Sequence, residues 1–208
     1  MSPGYPAPVV RDLGADQPYA AVWQAMRSHC ATRHAGSADE LWWLQHAPVY
    51  TQGKAGRDEH LREPLPAPLV HSDRGGQVTW HGPGQLVIYT LLDLHRLALT
   101  ARGAVSLLET AVISALATAG IAAEPRANAP GVYVDGAKVA SLGLRVSRGC
   151  CYHGLALNVD CDLAAFAAID PCGQRGLAVT RTCDLGCGDD VTHWAERLLP
   201  ELLERLPG

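Results

Sequence analysis

The sequence predicts an α/β (α+β) fold in which a mixed, largely antiparallel sheet is flanked by helices. Its 208 residues, 48% of them hydrophobic and 18% charged, suffice for a globular domain with a sizeable core, and residues 1–208 are expected to form one domain. The predicted strands and helices follow one another without strict strand–helix–strand alternation, which favours antiparallel neighbours. Asp135-Gly136 between two apolar runs is a strong hairpin signal and supports the same conclusion.

The first predicted elements are a strand at Val9–Arg11 and a helix from about Gln17 to His34. Asp16 is expected to cap this helix, with Pro18 in its first turn. Apolar side chains at helical spacing predict a core-facing stripe, formed by Tyr19, Val22, Trp23, Met26 and Cys30.

The next segment predicts strands separated by loops. Leu41–Leu44 reads as a buried strand, after which Pro48–Gly53 is expected to enter a loop. The polar, proline-rich segment Lys54–Pro68 predicts a solvated surface loop, with a flap near a binding site as the alternative. Further strands are expected at residues 69–72, 77–80 and 86–92.

The clearest predicted helix is Thr100–Ala119, with Gly120 where a C-terminal cap belongs. Strands are expected at residues 131–134, 137–146 and 151–159, a short helix at 162–168 and a turn at 170–173. A last helix should run from a cap at Asp190 towards Leu206, broken or kinked at Pro200.

Composition and charge exclude several classes of function. A net charge of −4 argues against a general nucleic-acid binder. No run of 18 or more apolar residues occurs, so no membrane-spanning helix is predicted. The first six residues lack the pattern of a secretory signal, and a cytoplasmic location is expected. Seven cysteines, an odd number, predict free thiols in a reducing compartment.

The segment Arg74–Gln85 predicts a binding loop. It places four glycines beside Arg74 and His81, and glycine allows a ligand to approach the main chain closely. The buried strand predicted directly after it would anchor such a loop. A plain glycine-rich hairpin before a core strand is the alternative.

Cys172 and Lys138 are candidates for a reactive pair. Cys172 lies in a Pro-Cys-Gly turn, where a thiol can be exposed, and a nearby cation would favour its nucleophilic thiolate form. Strand alternation places Lys138 on an apolar face with residues 140, 142 and 144, where burial is expected to lower its pKa. The alternatives are a structural thiol and a lysine that reaches water from a hairpin tip.

Small residues on the neighbouring strands leave room for a ligand. Ser141-Leu142-Gly143 follows Lys138 on the same strand, and Gly154 and Ala156 alternate with larger residues on the next. A tight corner that simply needs small side chains is the alternative interpretation.

Six motifs occur in order between residues 40 and 180. They are Pro48-Val49-Tyr50-Thr51 with Gly53-x-Ala55-Gly56 close behind it, Arg74-Gly75-Gly76-x-x-Thr79-x-His81-Gly82-Pro83-Gly84-Gln85, Gly131-Val132-Tyr133, Lys138-Val139-Ala140-Ser141-Leu142-Gly143, His153-Gly154-Leu155-Ala156-Leu157-Asn158-Val159 and Pro171-Cys172-Gly173. Together they resemble the lipoyl(octanoyl) transferases, the octanoyl-acyl-carrier-protein:protein N-octanoyltransferases.

This resemblance implies a fold shared with biotin and lipoate protein ligases. It also implies transfer of an octanoyl group from octanoyl-acyl carrier protein to one lysine of a lipoyl domain, in protein lipoylation. The implied acceptors are the lipoyl domains of 2-oxoacid dehydrogenase E2 subunits and the glycine cleavage H protein. Because the donor thioester is already activated, neither ATP nor a cofactor is expected.

The resemblance further implies roles for individual residues. The cysteine that matches Cys172 carries the acyl group as a thioester in this family, and the lysine that matches Lys138 tunes that cysteine. The implied substrate-binding residues are Arg74, Gly75, Gly76, Gln77, Val78, Thr79, Trp80, His81, Ser141, Leu142, Gly143, Gly154, Leu155 and Ala156.

Two other functions are compatible with parts of the sequence. An ATP-dependent lipoate or biotin protein ligase on the same scaffold would need an ATP site and no reactive cysteine, so Cys172 with Lys138 favours the transferase. The other is a non-enzymatic protein that binds a metal or senses redox state through its Cys and His residues: Cys150 and Cys151 are adjacent, and Cys183 and Cys187 are separated by three residues, with His193 further on. Since no pair has the Cys-x2-Cys spacing of structural zinc sites, no metal is predicted.

Overall fold

Two sheets and three α-helices form the regular structure of the computed structural model, which describes residues 7–62, 64–188 and 190–206. The strands are β1 (Val9–Asp12), β2 (Glu40–Leu44), β3 (Val49–Gln52), β4 (Leu69–His71), β5 (Val78–His81), β6 (Gln85–Asp93), β7 (Glu124–Pro125), β8 (Gly131–Val134), β9 (Ala137–Ser147) and β10 (Cys150–Asn158). The α-helices are α1 (Tyr19–Thr32), α2 (Ala101–Thr118) and α3 (Val191–Arg205). Short 3₁₀ helices occupy Asp58–His60, Leu163–Ala168, Pro171–Gly173 and Thr182–Leu185. The first six residues, where no signal-peptide pattern was found, lie outside these ranges.

The larger sheet has seven strands in the order β1-β2-β6-β10-β9-β8-β7. Only its β1–β2 pair is parallel among the described strands, and all other neighbours run antiparallel. The smaller sheet has the order β4-β3-β5, with β4 parallel and β5 antiparallel to β3. This confirms the predicted mixed, largely antiparallel sheet with flanking helices.

Side-chain alternation along β6 explains how the large sheet is covered on both faces. Leu86, Ile88 and Leu92 belong to a core shared with α2 and α3. Val87 and Tyr89 point the other way and pack in a second core with α1. Because one strand supplies both cores, its run of apolar residues is continuous rather than alternating with polar ones.

Several predicted boundaries are confirmed. The Thr100 hydroxyl accepts a hydrogen bond from the Gly103 amide at the start of α2, and Gly120 follows the helix with a φ of 79°. Asp190 caps α3 by accepting from two backbone amides of its first turn. The β8–β9 hairpin turns at Asp135-Gly136 as expected.

Two predictions in the N-terminal half were wrong. Asp16 does not cap α1: it has a φ of 58°, and Pro18 precedes the helix without a side-chain cap. Residues 48–53 do not form a loop, because Val49–Gln52 is the central strand of the small sheet and is buried throughout. Polar residues at a strand's end resemble a loop until the pairing partners, β4 and β5, are known.

Two helices also differ from expectation. α3 continues through Pro200, since Leu198 and Leu202 on either side of the proline are buried in the core. By length and composition α2 would be able to cross a membrane, which the sequence interpretation did not anticipate. In this fold one side of α2, including Leu108, Val112 and Leu116, packs into the same core.

The cysteines are not all free thiols. Cys30 on α1 and Cys150 on β10 form a disulfide, with Cα atoms 5.7 Å apart. Their separation of 120 residues hides this pairing from any local sequence pattern. Within the described residues the remaining thiols are unpaired, namely Cys151, Cys161, Cys172, Cys183 and Cys187.

Candidate active site

The Cys172 thiol lies on a tight, pinned turn. Cys172 has φ 56° and ψ 22°, a left-handed conformation that is unfavourable for a residue with a side chain. Asp170, two residues earlier, forms an ion pair with Arg62, and its backbone amide donates to the carbonyl of His60 at 2.8 Å. The turn is therefore held from the 54–68 segment, which keeps a strained cysteine in place.

Lys138 meets this turn from β9. Its side chain is buried, and Nζ donates hydrogen bonds to Cys172 Sγ at 3.0 Å and to the Pro130 carbonyl at 3.0 Å. The Lys138 backbone is itself fixed, since its amide donates to Ala178 O and its carbonyl accepts from Thr180 N. The structure thus brings together the two residues proposed from sequence as a reactive pair, although 34 positions separate them.

The pKa of Lys138 differs from the sequence-based expectation. Burial alone lowers it, as expected, but the adjacent Cys172 sulfur and the Tyr133 side chain outweigh burial, so the pKa of Lys138 is raised above its ordinary value. The expected lowering was wrong because the sequence could not show how close Cys172 lies. The resting arrangement is accordingly a protonated lysine beside the cysteine.

A cavity of about 640 Å³ opens beside Cys172, a size typical of small-molecule sites. Its walls come mainly from β5, β6, β9 and β10 and from the loop before β5. All of the predicted substrate-binding residues except Trp80 line it: Arg74, Gly75, Gly76, Gln77, Val78, Thr79, His81, Ser141, Leu142, Gly143, Gly154, Leu155 and Ala156. Lys54 and Ala55 also line it, so the 54–68 segment begins at the cavity.

Trp80 faces away from the cavity. Along β5 the side chains alternate, so Thr79 and His81 face the cavity while Trp80 enters the core under the small sheet. There its ring meets Phe166 edge-on, with centroids 5.8 Å apart. Its place in a motif with binding residues is explained by packing rather than by ligand contact.

The buried Arg74 side chain stabilises the glycine-rich loop by hydrogen bonds. Its buried guanidinium donates to Thr51 and to the carbonyls of Gly75 and Gln77. The loop then packs closely on β9, where the Gly75 amide donates to Leu144 O at 2.9 Å. A Cβ on Gly143 would lie 3.1 Å from Gly75 O, so a larger residue there would force the loop outward.

A neutral histidine forms part of the cavity wall. His81 Nδ1 donates to Gln85 Oε1 at 2.7 Å, and Gln85 Nε2 in turn donates to Asn158 Oδ1. Burial lowers the pKa of His81 to about 3, so the ring stays uncharged at physiological pH. The chain of amides fixes the tautomer and leaves Nε2 without a proton.

Sequence reasoning missed a carboxylate cluster at the same cavity. Asp73 accepts hydrogen bonds from Trp23 Nε1 at 2.8 Å, from His153 Nε2 at 3.0 Å and from the Tyr152 hydroxyl. Burial alone would raise the pKa of Asp73, but these three donors hold it well below its usual range. No local pattern reveals the cluster, because its partners are 50 to 80 residues away from Asp73.

Comparison with known proteins gives consistent results. Residues 18–197 match the family model of the lipoyl protein ligase A/B catalytic domain. The chain is 55% identical to an octanoyltransferase of Aromatoleum aromaticum over 204 residues, 98% of this chain and 88% of that protein. It is 58% identical to an octanoyltransferase of Azoarcus sp. over 190 residues, covering 91% and 84% of the two chains.

Solved structures share the fold at low sequence identity. An archaeal bi-partite lipoate protein ligase from Thermoplasma acidophilum superposes with a TM-score of 0.77 at 14% identity, covering 96% of this chain and 84% of that one. Lipoate-protein ligase A bound with ATP gives 0.75 at 14% identity, with coverages of 96% and 85%. Biotin protein ligase from Aquifex aeolicus gives 0.54 at 13% identity, with coverages of 98% and 69%. At these identities the likeness concerns the fold.

Proposed function

Because the chain belongs to the lipoyl protein ligase A/B catalytic family, and within it to the octanoyltransferases, we propose that it transfers octanoyl groups through a thioester on Cys172. It is an acyltransferase of protein lipoylation, and residues 1–208 act as one catalytic domain. The observation that carries the proposal is the 3.0 Å contact between Lys138 Nζ and Cys172 Sγ at the edge of the cavity. A nucleophile, a proton-transferring group and an acyl-sized pocket then adjoin one another.

The first step loads the enzyme. The thiolate of Cys172 attacks the thioester carbonyl of octanoyl-acyl carrier protein, and a tetrahedral oxyanion forms. The intermediate collapses with loss of the carrier thiolate, which takes the proton of the Lys138 ammonium. One thioester is exchanged for another at little thermodynamic cost, and Lys138 is left neutral beside the acylated cysteine.

The second step transfers the group to the acceptor. The neutral amine of the acceptor lysine attacks the Cys172 thioester and forms an amide as the cysteine sulfur leaves. Neutral Lys138 takes the proton that the acceptor nitrogen loses, which restores the original pair of ammonium and thiolate.

The octanoyl chain accounts for the apolar part of the cavity. Burying its methylenes and terminal methyl against walls that include Val78, Leu142 and Leu155 contributes roughly 5 kcal/mol, at about 0.8 kcal/mol per CH₂. This free energy is available to both steps, since the chain stays in the pocket while its carboxyl carbon changes partner.

The proposal extends to partners and location. The acceptors are lipoyl domains, specifically those of 2-oxoacid dehydrogenase E2 subunits and the glycine cleavage H protein, and the donor is octanoyl-acyl carrier protein. The proposed location is the cytoplasm, because Cys172 must stay reduced to attack a thioester, although the Cys30–Cys150 disulfide is of a kind more common in oxidising compartments. The ligase alternative rests on fold likeness at 13–14% identity, whereas the octanoyltransferase relatives share more than half of their aligned residues with this chain.

A transfer assay separates these alternatives. Purified lipoyl domain is incubated with octanoyl-acyl carrier protein and the enzyme without ATP, and the acceptor mass is followed. We expect a gain of one octanoyl group with wild-type protein and none with Cys172→Ser. Modification that requires ATP and free octanoate would identify a ligase, and wild-type transfer by Cys172→Ser would exclude the covalent path.

A further inference from the structure

The position of Lys138 Nζ depends on an aromatic residue on the neighbouring strand. Tyr133 of β8 pairs directly with Lys138 of β9, because the register shifts between Val132 and Tyr133. Both side chains are buried, and Nζ lies 5.1 Å from the centre of the Tyr133 ring. Without this shift, the regular register would place Tyr133 opposite Val139, away from the lysine.

The Tyr133 hydroxyl bonds to the residue next to the second partner of the lysine. It donates to the Ala129 carbonyl at 3.0 Å, and the next residue, Pro130, supplies the carbonyl that accepts from Nζ. Proline fixes its own φ, so an orientation imposed on the Ala129 peptide limits that of the Pro130 carbonyl. One tyrosine therefore contacts the lysine by its ring and fixes the lysine's acceptor by its hydroxyl.

The surroundings leave Lys138 little freedom. Arg126 lies over the Tyr133 ring at 4.2 Å and donates to the Gly136 carbonyl, which ties the ring to the hairpin turn. Gly131 adopts a φ of 143°, and a Cβ there would lie 2.9 Å from Lys138 Cε and 3.0 Å from Nζ. The amine thus has one place to lie, bounded by the Tyr133 ring, the Gly131 backbone and Cys172.

We infer that Tyr133 is a positioning residue which, through its ring and its bond to Ala129, holds the Lys138 amine against Cys172. The inference rests on the proposed roles of Lys138 and Cys172. The electron-rich ring face stabilises an ammonium more than a neutral amine, so Tyr133 favours the resting ion pair. Its hydroxyl aims the Pro130 carbonyl so that the amine keeps within reach of the sulfur in both of its charge states.

The test compares three variants with wild-type protein. Tyr133→Phe keeps the ring and removes the bond to Ala129, whereas Tyr133→Leu removes both. Tyr50→Phe is the matched control, because Tyr50 is also fully buried and its hydroxyl also donates to a backbone carbonyl, that of Ala165 at 2.8 Å. Tyr50 does not line the cavity, so its variant reports the structural cost of losing such a bond.

Two readouts are needed. The first is the rate at which iodoacetamide modifies Cys172, followed by peptide mass spectrometry from pH 5 to 10, because this reports the ion pair without any acyl substrate. The second is the octanoyl-transfer kcat. We expect Tyr133→Phe to lower both at pH 7 by roughly fivefold, the loss of one hydrogen bond, and Tyr133→Leu by more than tenfold. The pH profiles of Cys172 modification in both Tyr133 variants should move towards higher pH. In Tyr50→Phe the modification rate and the kcat should stay within twofold of wild type.

The outcomes separate positioning from mere packing. A fall in thermal stability of the Tyr133 variants with an unchanged Cys172 modification profile would overturn the inference, as would an equal change in Tyr50→Phe. Adding Tyr133→Phe to Lys138→Met should change Cys172 modification no further, and an additional effect would show that Tyr133 acts independently of Lys138. If iodoacetamide modifies Cys172 of the wild-type protein but the protein transfers no octanoyl group, the proposed function fails. The modification rates of the Tyr133 variants then still test this inference.

Discussion

Two buried cations near the same cavity, Arg74 and Lys138, form hydrogen bonds with different kinds of partner. The Arg74 guanidinium donates hydrogen bonds to the side chain and carbonyl of Thr51 on β3 and to the carbonyls of Gly75 and Gln77 in its own loop. Lys138 gives one of its hydrogen bonds to the sulfur of a strained cysteine. Arginine is always charged and offers a rigid fork, whereas lysine can lose and regain a proton. Although both side chains are buried, Arg74 therefore holds the loop in place, whereas Lys138 can transfer a proton.

The largest expected effect comes from separating charge from proton transfer at position 138. Lys138→Met should lower octanoyl transfer by roughly 10²–10⁴-fold, the usual contribution of a general acid–base group. Lys138→Arg keeps a cation near Cys172 but cannot act as a base, so it should preserve much of the Cys172 reactivity towards iodoacetamide while transfer stays low. Full transfer activity in Lys138→Arg would show that charge alone suffices.

For Arg74 we expect the reverse, a large effect on stability and a small effect on the reaction of Cys172. Arg74→Met removes the charged hydrogen bonds to Thr51 and to the Gly75 and Gln77 carbonyls, and we expect a loss of roughly 3–5 kcal/mol in the free energy of unfolding. Urea denaturation monitored by tryptophan fluorescence measures it. The folded fraction should still form a Cys172 adduct, and wild-type stability would contradict the scaffold role.

A third buried basic side chain, the neutral His46, should make the stability of the protein depend on pH. Burial lowers the pKa of His46 to about 4 from an ordinary value of 6.5, so the unfolded chain binds a proton that the folded chain refuses. Stability should therefore fall as pH drops from about 6.5 towards 4, by roughly 3 kcal/mol for this residue. His46→Gln should reduce that slope without abolishing it, because burial lowers the pKa of His81 as well, whereas His34→Gln at an exposed site should leave it unchanged. Parallel slopes in both variants would exclude His46 as the source.

The smallest effect is expected at the cysteines far from the pair. Cys183 lies in the short helix Thr182–Leu185 and contacts Asp160, and Cys187 lies two residues beyond the end of that helix. The double variant Cys183→Ser/Cys187→Ser should keep wild-type transfer and melting temperature, with or without added zinc. A zinc-dependent rise in melting temperature of wild-type protein that the double variant loses would support the metal-binding alternative.

The sequence predicts best those features that depend on a few neighbouring residues. The α2 helix with Gly120 just beyond its end and the Asp135-Gly136 hairpin have local chemical signatures, and the structure confirms them. The family motifs also point to the cavity walls, although strand alternation sends Trp80 into the core.

Features that depend on distant partners were missed for a physical reason. The β3 strand is recognisable only beside β4 and β5, and the Cys30–Cys150 disulfide joins positions 120 residues apart. The pKa of Lys138 was expected to fall because burial is visible in a strand pattern while the approach of Cys172 is not. The register shift that aligns Tyr133 with Lys138 has the same origin, since it belongs to a strand pair rather than to either strand.

Intact-protein mass spectrometry tests the central claim most directly. Wild-type protein, Cys172→Ser and Lys138→Met are each mixed with octanoyl-acyl carrier protein in the absence of ATP and acceptor. We predict a single octanoyl adduct on wild type that hydroxylamine releases, a much slower adduct on Lys138→Met and none on Cys172→Ser. An equal adduct on Cys172→Ser, or no adduct on wild type that nevertheless modifies a lipoyl domain, would contradict the thioester path.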